Sequence, residues 1–199
     1  AAAFEEIASG RQKRMVVVGA EDGNTECILP FAAMRALSQN PDPATASRPF
    51  DRGHDGFVGT GGGVAMILEA RGSAEERGVP VYARMTGYGQ ASDGYSAVLP
   101  EPEGDGLARA IGLALDRADL EPGSVDYVNA HAPSTPMGDI AEIKALQRVF
   151  GDQGHHPAVS STKSLTGHAL SMASILEAAI SVLALKEGFL PGSANFREP

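Results

Sequence analysis

The chain has 199 residues, 43% of them hydrophobic, enough to bury one sizeable core and long enough for an enzyme. A formal net charge of -9 and a pI near 5.0 argue against nucleic acid or an anionic membrane as partner, because both require a basic face. One cysteine, Cys27, excludes an internal disulfide and fits a reducing, cytoplasmic compartment.

Residues 1–9 read as the back half of a helix, with Phe4 and Ile7 on one face and Gly10 as its stop. It has no cap, so the chain is expected to start inside an element. Glu5 and Glu6 break the basic-then-apolar order of a secretory signal, and Arg11, Lys13 and Arg14 read as a solvated loop. Residues 15–20, continuously apolar, predict a strand covered on both faces. After an acidic turn at 21–26, residues 28–37 predict a short helix and 40–48 a loop. Gly59, Gly61, Gly62 and Gly63 lead into a strand at 64–69. A phosphate-cradling loop needs a strand before it and a helix after it, so close backbone approach is the better reading of these glycines.

Residues 73–78 predict a helical turn, 81–88 a strand, 90–102 a long polar loop and 104–118 an amphipathic helix. A strand at 125–130, a helix at 136–150 with Ile143, Leu146 and Phe150 inward, an exposed loop through His155 and His156, a strand at 158–160 and a helix at about 168–186 follow. The longest apolar run, 169–185, is interrupted by Glu177 and falls short of the roughly 20 residues of a membrane span. Strands alternating with helices through the second half indicate α/β layers and mostly parallel pairing.

Two stretches stand out. In 126–142 a strand runs into a turn bearing His131 and then into a helix opened by Thr135 and Pro136; in 158–168 a strand runs into Lys163 and His168. Ligands collect where strands of layered α/β proteins end, because side chains there face a crevice.

Asn129-Ala130-His131-Ala132-Pro133-Ser134-Thr135-Pro136-Met137-Gly138-Asp139 resembles the H-G-T-S-T-P-x-G-D signature of β-ketoacyl-[acyl carrier protein] synthases, and 161–168 resembles their S-x-T-K-x-x-x-G-H signature. Arg48-Pro49-Phe50-Asp51, Asp55-Gly56-Phe57-Val58 and Gly61-Gly62-Gly63 are similar to the same family, and the likeness runs along nearly the whole chain. The glycine-rich loop and the short 120–126 connection lean towards the synthase I branch. The resemblance implies an α/β, thiolase-like fold: layered α/β/α with mixed sheets, incomplete at both ends. Residues 1–70 would close its N-terminal half and 71–199 would form most of its C-terminal half.

The same resemblance implies an acyltransferase of fatty-acid or polyketide synthesis. A cysteine-bound acyl chain is elongated by a decarboxylative Claisen condensation with malonyl carrier protein. It implies an acyl carrier protein as partner, homodimerisation at full length, and no cofactor beyond the phosphopantetheine that arrives on the carrier. His131, His168 and Lys163 take the catalytic positions, Thr135 a pantetheine-contacting one, and Glu142 a glutamate position expected to pair with Lys163. Two neutral imidazole donors would stabilise the enolate as an oxyanion hole does. Neutrality is expected from Lys163 and from the helix start at His168.

Some positions depart from the pattern. Pro133 replaces a threonine and so offers neither hydroxyl nor N–H, Ala132 replaces a glycine, and His54 stands where an arginine is usual. The family's cysteine would fall before residue 1, and Cys27, beside the 21–26 acidic run, is no substitute. By this reading the chain alone does not condense anything.

Three alternatives stay open. A non-condensing chain-length-factor-like partner is one, although such partners generally lose the histidines kept here. A Ser160-x-x-Lys163 acyl-enzyme site would need the serine to open a helix. A metal on His131, Asp139 and His168 lacks short ligand spacing.

Overall fold

The computed structural model describes residues 1–151 and 154–199. Helix α1 (Ala2–Ala8) leads through Gly10, whose φ of 74° suits a residue without a Cβ, into β1 (Arg14–Glu21). Helix α2 (Thr25–Ala33) is capped by Asn24, whose side chain accepts the Cys27 N–H at 2.9 Å. It starts earlier than the sequence pattern suggests because the cap lies upstream of the apolar run.

Strand β2 (Gly62–Glu69) pairs antiparallel with β1, setting Val16 opposite Ile67 and Val18 opposite Ala65. The expectation of a doubly covered strand is corrected here. One face of this hairpin packs on a C-terminal helix, while Val16, Val18 and Ile67 on the other are 65%, 67% and 69% exposed. A continuous apolar run does not reveal which face is covered.

Helices α3 (Arg71–Arg77) and α4 (Asp105–Ala118) fall where the sequence places them. The strand predicted at 81–88 does not form among the described residues. No neighbouring strand supplies ladder partners, and the segment lies along α4 instead. A Cβ on Gly87 would sit 2.5 Å from the Ala114 carbonyl oxygen, and one on Gly89 would sit 1.9 Å from that of Ala110. Tyr88 pins the segment by donating its hydroxyl to Glu5 under the Arg117 guanidinium.

Strand β3 (Tyr127–Asn129), helix α5 (Pro136–Phe150) and strand β4 (Ala158–Ser160) form a parallel crossover unit with Val128 beside Val159. The loop expected around His155 and His156 includes residues 152 and 153, which lie outside the described residues. Both histidines are exposed.

A single-turn helix α6 (Lys163–Thr166) and a 3₁₀ turn (Leu170–Met172) precede α7 (Ala173–Glu187). The long helix therefore begins after His168, not at it. Its approach to β1 requires Gly19, where a Cβ would stand 2.4 Å from a methyl of Ile175.

The largest fully buried side chains are Lys163, Asp139, Pro49, Ser134 and Ser161, so a polar hub is buried alongside the small alanines of the core. Buried polar groups require partners, and that requirement organises the loops between the two units. Among the described residues no helix is long and apolar enough to cross a membrane.

Candidate active site

His131 leaves the end of β3 on a turn whose N–H groups have run out of strand partners. Glu142, one and a half turns into α5, supplies them: one carboxylate oxygen accepts from His131 N at 2.8 Å and the other from Ala132 N at 2.6 Å. Asp139 serves the next stretch of the loop. It accepts from Ser134 N at 3.1 Å, Thr135 N at 3.0 Å and Phe50 N at 2.9 Å. Ser134, at φ 77°, bends the chain into the helix, and its hydroxyl accepts from Arg48 N.

His168 is held from the other unit. Its N–H donates to the Val58 carbonyl at 2.7 Å and its carbonyl accepts from Thr60 N at 3.1 Å, so the glycine-rich segment forms a short parallel bridge to it. The Phe57 ring meets the imidazole edge-on at 5.1 Å. Through these contacts two turns far apart in sequence bring His131 and His168 together. The ring centres are 5.1 Å apart and nearly perpendicular at 85°. The buried Nδ1 of His168 has no hydrogen-bond partner among the described residues.

Lys163 lies directly behind this pair. Its ammonium donates to the His131 carbonyl at 2.6 Å and is ion-paired with Glu177 of α7. The expected pair with Glu142 is therefore corrected: both oxygens of Glu142 are occupied by backbone donors, and Glu177 takes the ammonium. Burial pushes the Glu177 carboxyl up while Lys163 pulls it back. Sequence reasoning missed this partner, although a lone acid in the apolar 169–185 run was its signal.

Burial, then the Lys163 charge, then His168 push the His131 imidazole down to about 3. His131 remains open to solvent at the mouth, while protein fills most of the volume around it. Burial and then Lys163 push His168 down to about 4. The helix start expected at His168 is not there, because α7 begins at Ala173. Both rings are neutral at pH 7.

Thr135 occupies the N-cap position of α5, but its hydroxyl makes no cap bond, while its own N–H donates to Asp139. Gly138 keeps that hydroxyl room: a Cβ there would lie 2.5 Å from Thr135 Oγ1. Ser160 is engaged by Tyr127 and the Pro191 carbonyl, away from the Lys163 ammonium, which leaves the hydrolase reading without a base. Asp139 is committed to backbone N–H groups, so the metal reading loses its carboxylate. Burial, then Asp22, Glu21 and Glu26, push the Cys27 thiol up, as expected for an unreactive cysteine.

Residues 82–197 match the C-terminal domain of β-ketoacyl synthases, and residues 1–74 match their N-terminal domain. The chain belongs to the β-ketoacyl synthase family. It is 45% identical over 187 residues to the 3-oxoacyl-[acyl-carrier-protein] synthase 2 of Staphylococcus aureus, covering 93% of this chain and 46% of that protein. Among solved structures it superposes on a β-ketoacyl synthase from Burkholderia phymatum STM815 with a TM-score of 0.93 at 36% identity, covering 99% of this chain and 47% of that one. A chain of a type II PKS acyl-carrier protein in complex with its ketosynthase bound to the hexaketide gives 0.95 at 32% identity, covering 100% and 49%.

The fold is thus the thiolase-like fold of ketosynthases, and the chain spans about half the length of the curated relatives it matches. The synthase 2 name of the Staphylococcus aureus relative gives no support to the lean towards synthase I.

Proposed function

We propose that this chain supplies the decarboxylating half of a ketosynthase site in fatty-acid or polyketide elongation, acting on malonyl units delivered by an acyl carrier protein. The observation that carries this is the pair of neutral imidazoles 5.1 Å apart at the ends of two strand-to-turn units. With an N–H···O reach of about 2.9 Å, donors on both rings are able to meet one oxygen atom. In malonyl thioester the bond between the carboxylate carbon and the α-carbon breaks and carbon dioxide leaves. The electron pair delocalises onto the thioester oxygen as an enolate, and His131 and His168 hold that oxygen.

The enolate then attacks an acyl thioester on a cysteine, forming the new carbon–carbon bond and releasing the thiolate. Cys27 does not serve as that cysteine, so the condensing step belongs to a protein that provides another. Lys163 acts from behind, fixing the His131 backbone and holding both rings neutral. Glu142 shapes the His131 turn, and the free hydroxyl of Thr135 is placed to meet the pantetheine arm.

Residues 1–70 and 71–199 are retained as parts of two halves, with the site where they meet. The relative described as a ketosynthase with its acyl carrier protein supports a carrier partner, and homodimerisation remains part of the same proposal. In a ketosynthase carrying this chain, His131→Ala or His168→Ala is expected to slow carbon dioxide release from malonyl carrier protein by about 10² to 10³-fold, the loss of one such donor. Undiminished release from both variants overturns the proposal.

A further inference from the structure

We propose that Asn195 is a positioning residue that sets the distance between the two histidines, although it lies outside both histidine-bearing turns. This inference rests on the decarboxylation reading above. The C-terminal strap of residues 191–198 crosses behind the site and grips first one side, then the other. Towards the lysine turn, Ser193 Oγ accepts from Ser161 N at 2.9 Å, and Ala194 N donates to Ser164 Oγ at 2.8 Å. Towards the 44–52 loop, the Asn195 amide donates to two carbonyls, Ala44 at 3.1 Å and Ser47 at 2.9 Å.

The gripped loop is the piece that joins the two histidine turns. Ser47, buried, donates its hydroxyl to the Lys163 carbonyl at 2.7 Å. A few residues on, the same loop donates Phe50 N to Asp139 in the first turn of α5, which the His131 turn leads into, and then continues as the segment that holds His168 through Val58 and Thr60. A shift of the loop is therefore a shift of one ring against the other.

The residue type fits the task. Asn195 has φ 64°, a left-handed conformation that asparagine tolerates better than other residues with a Cβ, and two carbonyls facing one side chain require an NH2 donor. Glycine adopts the same backbone without supplying the clamp, and aspartate matches the size but turns an acceptor towards two acceptors.

The test uses Asn195→Gly, Asn195→Asp and Ser47→Ala in a ketosynthase carrying this chain, with malonyl carrier protein as substrate. Asn195→Gly is expected to lower kcat for carbon dioxide release about tenfold with KM within twofold. The acid limb of its pH–rate profile should move up towards pH 6.5 as the rings become better hydrated, with Asn195→Asp at least as impaired. Ser47→Ala, which breaks the next link inside the fold, is expected to move the same limb in the same direction.

Wild-type kcat and acid limb in Asn195→Gly overturn the clamp, as does a loss of folded protein with an unaltered profile per folded molecule in both glycine and alanine variants. If His131→Ala and His168→Ala also release carbon dioxide normally, the underlying reading has failed. If they do not, only the clamp has.

Discussion

Glu177 shows how a single carboxylate decides whether the site holds together. Lys163 is 2% exposed at the side chain and Glu177 14%, so the ion pair lies in a region of low dielectric. Removing one partner leaves a buried charge uncompensated, and Glu177→Gln is expected to destabilise the protein by about 3 to 5 kcal/mol, read as a lowered denaturant midpoint. Glu177→Asp, which keeps the charge on a shorter arm, should lose less; equal loss in both would mean that packing, not charge, is at stake. The sequence singles out Lys163, His131 and His168 as candidates because their motifs are local, and the structure brings the three together. It misassigns the counter-charge because the choice between Glu142 and Glu177 depends on which backbone N–H groups go unpaired at the end of β3, and that is a fact of the fold.

At the scale of elements, α5 and β4 were legible to the residue, since each is bounded by local chemistry: Thr135 and Pro136 before the helix, Pro157 before the strand. The segment 81–88 and the outer face of β1 were not legible, because strand pairing and burial depend on neighbours that no periodicity records. Close approach of helices is a third such feature. Gly104 opens α4 at φ 70° against α5, where a Cβ would stand 2.3 Å from the Ala141 carbonyl oxygen and 2.9 Å from Ala145 Cβ. Gly104→Ala combines a left-handed alanine, about 1 to 2 kcal/mol, with overpacking of about 1 to 3 kcal/mol. A fall in stability of about 2 to 5 kcal/mol by chemical denaturation is expected, and a loss under 1 kcal/mol would show that α4 is free to slide on α5.

Across the whole molecule the same burial that tunes the site sets the response to acid, through two groups of opposite sense. His131 and His168 titrate at about 3 and about 4 in the folded state and near 6.5 when unfolded, so between those values the unfolded chain binds more protons and stability falls as pH drops. Asp139, Glu142 and Glu177 are pushed up by burial, so the folded state holds their protons more tightly and acidification favours it. The half-buried Glu5, Glu6 and Glu69, held below the usual carboxylate range, lose their contribution only at lower pH. A wild-type curve alone mixes these contributions, whereas a difference isolates the histidines. Replacing both by glutamine leaves the carboxylates in place, so the fall in Tm from pH 7 to pH 5 should be smaller in His131→Gln/His168→Gln than in wild type. An equal fall in the two proteins would mean that the imidazoles are already hydrated in the folded state, and burial would then not be what keeps the pair neutral below about pH 6.5.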